Sequence, residues 1–223
     1  RPVEAWAITT GDPSVTIGLL DTGLMLDHPD LAAQVWRNPA EVPGNGLDDD
    51  GNGYVDDVHG YDFVDRTVVL GPGDYRDWDA DVYEDGTQDH GTLTAGVSPL
   101  LQEALRYACG NGTVVAASGG NVGGDAPHYP SDYLEVIGVV WLANAGLRRA
   151  SVAQHGPGIA IGAPAAPVLT TRLPNPEDPR PFQTQLYSRV GGSSLAAPQV
   201  AAAAALLRSI DRSHSPESIR GIL

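Results

Sequence analysis

Gly191-Gly-Ser-Ser-Leu-Ala-Ala-Pro-Gln-Val200 runs directly into an apolar segment that ends at Leu207 and includes five successive alanines, Ala201 to Ala205. Alanine and leucine are the strongest helix formers, so this composition predicts a helix from near Ser194 to near Ser209. Gly191 and Gly192 permit a tight turn before it, and Ser193 and Ser194 are both natural N-cap residues. A serine at such a helix start sits where unpaired N–H groups and the helix dipole favour negative charge. That environment suits a nucleophile whose reaction develops an oxyanion. By itself the motif serves equally well for two serines that only cap a buried helix.

Upstream of this helix lie short, nearly continuous apolar runs: Gly158 to Pro164, Glu135 to Val140, Thr113 to Ala117 and Val15 to Leu20. Runs without polar alternation are expected of strands buried on both faces of a parallel sheet. Leu100 to Cys109 reads as an amphipathic helix, with Leu101, Ala104, Leu105 and Ala108 on one face and a stop at Gly110-Asn111-Gly112. A last short helix begins near Pro216. Residues 1–14 read as irregular, with a turn at Gly11-Asp12-Pro13, and His28-Pro29-Asp30-Leu31 as a turn entering a short helix. Residues 65–88 and 172–188 read as loop. Strands alternating with helices predict an α/β fold, a parallel sheet with helices on both faces. The length predicts a single domain over 1–223, with an acidic insertion at about 41–89.

Of the 223 residues, 42% are hydrophobic, with 27 Gly and 18 Pro, as suits a turn-rich globular protein. No apolar run reaches the ~18 residues of a membrane span. The net charge of −15 argues against nucleic acid and anionic membranes as partners. Half of the 28 acidic residues fall between Asp48 and Asp89, a span whose basic residues are Arg66 and Arg76. So dense a block is either a solvated loop or a cation site. The single cysteine, Cys109, excludes an internal disulfide framework and reads as a buried inert thiol. Neither an initiator Met nor an apolar leader opens the sequence, which therefore reads as a mature fragment or excised domain without signal peptide or propeptide.

Three further stretches carry chemistry. Val15 to Leu20 ends at Asp21-Thr22-Gly23, which would set a carboxylate at the sheet edge where open α/β folds place their ligands; the alternative is an Asp capping the next turn. Asp89-His90-Gly91 reads as a loop entering a small-residue helix, with His90 either a catalytic base or a structural histidine. In Asn45 to Asp57, oxygen side chains recur at every second position: Asp48, Asp50, Asn52, then Asp56. With the Tyr54 carbonyl as a backbone ligand, this spacing resembles the first nine positions of a calcium loop. His59 stands where such a loop carries its bidentate Glu, so a plain acidic turn is the competing reading.

V-T-I-G-L-L-D-T-G (15–23), H-P-D-L (28–31), D-H-G-T-L-T-A-G (89–96), V-V-A-A-S-G-G-N (114–121) and G-S-S-L-A-A-P-Q-V (192–200) resemble the signatures of the subtilisin-like serine proteases, the subtilases. H-Y-P-S-D-Y-L-E-V-I-G-V (128–139) and A-S-V-A-Q-H-G-P-G-I-A-I-G-A-P (150–164) resemble connecting segments of that family. The likeness covers nearly the whole chain in order, including the Asp…His…Ser order that subtilisin carries. The resemblance implies a serine endopeptidase with Ser194 as nucleophile, His90 as general base and then acid, and Asp21 holding the imidazole. It implies Asn121, with the Ser194 N–H, as oxyanion donor, a contact worth about 3–4 kcal/mol in this class of enzyme. It also implies structural Ca2+, a protein or peptide substrate, a monomer, and a secreted or extracytoplasmic setting. Asp30 resembles a family calcium ligand.

Ser193 and Leu195 replace the family's usual Thr and Met. The glycine turn holds one more residue than the family's A-A-G-N pattern, so Gly120 or Asn121 occupies the oxyanion position; only Asn121 has an amide to donate. The larger departure is that 30 residues separate His90 from Asn121. The family normally has two more strands and a helix there, including the strand that pairs with substrate. The sheet is therefore expected to carry fewer strands, and the alternative function is a catalytically impaired pseudoprotease or truncated paralogue. A non-catalytic calcium-binding module would account for Asp48 to Asp57 but leaves the triad motifs unexplained.

Overall fold

A computed structural model of the protein describes residues 2–20, 26–62, 67–68, 99–143, 148–171 and 186–223. Along them run α1 (Pro2–Trp6), β1 (Tyr61–Asp62), β2 (Thr67–Val68), α2 (Pro99–Gly110), β3 (Val115–Ser118), β4 (Val136–Ala143), β5 (Arg148–Arg149), β6 (Ile159–Pro164), β7 (Val168–Thr171), β8 (Tyr187–Val190), α3 (Ser193–Ile210) and α4 (Pro216–Ile222). The chain divides into two compact units, one of Arg1–Gly18, Asp89–Thr170 and Arg189–Leu223, the other of Leu19–Gln88 and Thr171–Ser188.

β4 is the strand on which the first unit is built. β3 pairs with it in parallel from Val115↔Val136 to Ser118↔Val139, and β6 pairs in parallel along Gly138 to Leu142, with a register shift between Gly138 and Val139. Gly138 and Val139 pair with both, so β3 and β6 occupy opposite edges of β4. The short β5 joins antiparallel at Leu142↔Arg149 and Ala143↔Arg148. Alternate β4 side chains enter two cores, as the two-residue period requires. Ile137 and Val139 pack with Ala163, Ala165 and the α3 residues Ala196, Ala197 and Val200. Val140, on the other face, packs with Ala150 and Ala153. The continuous apolar run that predicts a two-sided buried strand thus finds cover on both sides.

α3 packs against β3, β4 and β6. Its buried residues Ala196, Ala197, Val200 and Ala204 form one stripe at helical spacing, and their small side chains bring the helix backbone close to the sheet. At its far end Arg208 donates to the Gly112 carbonyl at 2.6 Å, Ser209 and Thr9 hydroxyls lie 3.1 Å apart, and just beyond it Arg212 pairs with Asp12 at 2.8 Å. In the second unit, β1 and β2 pair antiparallel. β7 and β8 form a two-stranded sheet.

Two expectations change here. Val15 to Leu20 is not a strand; it is irregular, with Leu19 57% and Leu20 95% exposed. Among the described residues no strand pairs with it, and without a ladder neighbour an extended apolar run gains neither hydrogen bonds nor cover. Residues 2–6 form α1 where irregular chain is expected, helped by Pro2 in its first turn and Glu4 near the helix start. The His28 segment stays a turn, with the Leu31 and Ala32 N–H groups both donating to the His28 carbonyl.

Ala196 is fully buried, so Ala196→Leu should overpack the α3–sheet contact at a cost of about 1–3 kcal/mol. Thermal unfolding should show a Tm loss that the exposed Ala202→Leu does not. The Ser14 hydroxyl and N–H, followed by Arg212, pull the Asp12 carboxyl from its ordinary 3.8 down to about 2. Its contribution to stability is therefore present above pH ~4 and lost as pH falls through 2. Asp12→Asn should accordingly lower Tm at pH 7, with the gap to wild type closing near pH 2.

Candidate active site

The start of α3 is where sequence-predicted residues meet. The N-cap position is Gly192, at φ +142°, with no side-chain cap; Ser193 and Ser194 are the first two helical residues. Neither serine caps the helix, which removes the reading of both as mere N-caps. Ser193 is buried with its Oγ unpartnered, while Ser194 is exposed. The Ser193 N–H donates to Asn121 Oδ1 at 2.9 Å. Because a backbone N–H can only donate, this bond fixes the Asn121 amide with its oxygen toward the helix and its NH2 group turned away. Among the described residues, Asn121 Nδ2 and the Ser194 N–H make no other hydrogen bond. Two donors thus remain beside an exposed serine at a helix N-terminus, an arrangement able to stabilise negative charge.

Asn121 is placed by the turn that leaves β3. Gly119 N–H donates to the Val139 carbonyl at 2.9 Å, continuing the β3–β4 ladder past Ser118. Gly120 follows at φ +100°, where a Cβ would lie 2.6 Å from Gln154 Oε1 and 3.0 Å from the His128 ring. Gln154 is buried, its Nε2 donating to the Ala126 carbonyl and its N–H to the Gly120 carbonyl. Burial pushes the His128 pKa down, which favours the uncharged ring against the turn. Gln154 and His128 were legible only as members of connecting segments; their support of the Gly120 turn needs the tertiary structure. Gln199 is a similar case: its Nε2 donates to both the Leu195 and Pro164 carbonyls at 2.7 Å, fastening the first turns of α3 to the end of β6.

Asp21 and His90, the other residues of the expected triad, lie outside the described residues. His28 is buried and structural: its Nδ1 accepts from the Asp30 N–H, so Nε2 carries the proton and donates to the Leu186 carbonyl at 3.1 Å. Asp30 accepts from the Tyr187 hydroxyl at 2.8 Å, which raises the Tyr187 pKa.

In the acidic loop, the side-chain oxygens of the expected five-residue calcium register are taken up in local hydrogen bonds, and the Asn52 N–H joins Asp48 Oδ1 and Asp50 Oδ1. Asp48 accepts from the Gly51, Asn52 and Gly53 N–H groups, and the buried Asp56 from those of Asn45 and Gly46. The Tyr54 N–H donates to Asn52 Oδ1. Of the five, only Asp50 joins a cluster of carboxylates, and its companions are Glu41 and Asp57, with one oxygen from each within 4.8 Å of the others.

The match to known proteins follows this geometry. Thermitase of Thermoactinomyces vulgaris is 28% identical over 239 residues, covering 95% of this chain and 81% of that protein. Subtilisin BL of Lederbergia lenta is 32% identical over 126 residues, covering 56% of this chain; the chain spans 43% of that relative's length. The crystal structure of a lanthipeptide protease shares the fold across 99% of this chain and 82% of its own, with a TM-score of 0.68 at 22% identity. Fervidolysin from Fervidobacterium pennivorans, a keratinolytic enzyme related to subtilisin, gives a TM-score of 0.51 at 29% identity, covering 58% of this chain and 21% of its own. Residues 97–223, which include both Asn121 and the Ser193–Ser194 helix start, match the subtilase family, Peptidase_S8, and the chain belongs to that family.

Proposed function

We propose that the chain is a serine endopeptidase that cleaves protein or peptide substrates through Asp21, His90 and Ser194. The observation that carries this reading is the Asn121–Ser193 hydrogen bond, which brings the Asn121 amide to the residue next to Ser194 while, among the described residues, its NH2 group and the Ser194 N–H make no hydrogen bond. Ser194 Oγ attacks the peptide carbonyl carbon as its proton passes to the His90 imidazole; Asp21 stabilises the imidazolium. The tetrahedral oxyanion is held by Asn121 Nδ2 and the Ser194 N–H. The imidazolium then protonates the leaving amine, the C–N bond breaks, and water hydrolyses the acyl-serine by the same steps in reverse order. Calcium acts as a structural cofactor, and the enzyme works as a secreted or extracytoplasmic monomer with neither nucleic acid nor membrane as partner, in keeping with its charge of −15.

A second reading is a pseudoprotease that folds without turnover. It is favoured by the exposure of Ile17, Leu19 and Leu20 just before Asp21 and by the 30 residues between His90 and Asn121.

Labelling with a fluorophosphonate followed by peptide mapping separates the two. The label is expected on Ser194 and absent in Ser194→Ala at unchanged Tm; a folded wild-type chain that takes no label establishes the pseudoprotease instead. Asn121→Asp keeps the acceptor for the Ser193 N–H while removing the donor, and should lower kcat on a chromogenic peptide by at least about 10²-fold. Near-wild-type kcat in that variant would exclude Asn121 from the oxyanion site.

A further inference from the structure

Asn121 opens a loop that packing does not hold. From Asn121 to Ala126 every residue but Gly123 is exposed, and Val122 is 85% exposed. Gly123 and Gly124 lie at φ +73° and +83°. An exposed loop rich in glycine keeps one shape only where hydrogen bonds fix it.

Those bonds converge on one residue. Gln154 is 4% exposed. Its N–H donates to the carbonyl of Gly120, just before Asn121, at 3.3 Å, and its Nε2 donates to the Ala126 carbonyl, at the loop's other end, at 2.7 Å. The His155 N–H adds a bond to the Gly124 carbonyl at 2.9 Å. Gln154 follows Ala153, which is fully buried with Val140 and Ala150 against β4. A residue seated on the sheet thus ties both ends of the loop that carries Asn121. The same side chain also carries a destabilising feature: Oε1 is buried without a hydrogen-bond partner, and it lies where a Cβ on Gly120 would meet it at 2.6 Å. An apolar side chain of similar volume would avoid that loss. What the amide supplies in exchange is the Nε2 bond to the loop.

We propose that Gln154 is a positioning residue for the oxyanion site. It touches no substrate; it fixes the backbone from which the Asn121 side chain extends, while the Ser193 N–H holds the amide oxygen at the far end. This role rests on the reading of Asn121 as oxyanion donor given above. Such a donor acts only when it lies about 2.7–3.1 Å from the developing oxyanion. A misplacement of about 1 Å can lower the rate by about 10²-fold. Because the oxyanion exists only in the transition state, the loss falls on kcat rather than KM.

The test compares Gln154→Met with wild type on a chromogenic peptide, alone and in an Asn121→Asp background, with Tm measured alongside. Methionine nearly keeps the volume and removes both amide heteroatoms; Ala126 is exposed, so its carbonyl can turn to water. Gln154→Met is expected to lower kcat by about 10- to 100-fold, with KM within about threefold of wild type and Tm unchanged or raised. In the Asn121→Asp background the same substitution should change kcat by less than about threefold, since the donor it positions is already gone. Gln154→Asn, shorter by a methylene and unable to keep both bonds, carries the test if Gln154→Met does not fold. Wild-type kcat in Gln154→Met beside an impaired Asn121→Asp would overturn the positioning role alone. Equal losses in both backgrounds would also overturn it, because Gln154 would then act independently of Asn121. A folded wild-type chain without turnover would overturn the endopeptidase reading and the positioning role together.

Discussion

A parallel strand is stable where it is hydrogen-bonded along both edges and covered on both faces, and β4 is the described strand that meets all four conditions. β3 and β6 occupy its edges, the alanine stripe of α3 closes one face, and Val140 with Ala150 and Ala153 closes the other. The features that matter for the candidate site hang from this arrangement. Asn121 stands three residues past the end of β3, and Ser194 is the second residue of the helix that β4 anchors. The relative position of amide and serine is thus set by the depth at which small side chains seat α3 on the sheet. A larger residue on that face would shift the chemistry as well as the packing.

The approach of Asn121 to the helix accompanies a glycine, not a serine, at the N-cap position. With Gly192 at the N-cap, the first helical N–H, that of Ser193, is satisfied by the Asn121 side chain rather than from within the helix. That N–H is served by a residue from another element, and among the described residues the exposed Ser194 hydroxyl makes no hydrogen bond.

This separates what the sequence made legible from what it did not. The apolar runs of β3, β4 and β6 and the alanine-rich α3 were readable because each element's own composition carries its signal. Val15 to Leu20 has the same composition and behaves differently, since a run of apolar residues says what a segment could bury, not whether a neighbour exists to bury it. The oxyanion candidate was readable as a chemical type, because only Asn121 offers an amide in that turn; Gln154, His128 and Gln199, which hold the turn and the helix start, act through tertiary contacts that leave no local spacing to read. The acidic loop gives the same lesson. Periodic oxygens drew attention to Asp48 and Asp56, whose carboxylates serve backbone N–H groups, whereas Glu41 reaches Asp50 from nine residues upstream.

Pro198 lies inside α3, four residues after Ser194. Lacking an N–H, it cannot return a hydrogen bond to the Ser194 carbonyl, so the turn bearing the serine is fastened to the helix by fewer backbone bonds than the turns beyond it. Its position depends instead on side chains reaching in from elsewhere, Asn121 on one side and Gln199 bridging to Pro164 on the other. Loss of the serine turn's geometry and loss of helicity are then separable events: the serine turn can drift out of register while the alanine-rich length of the helix stays folded.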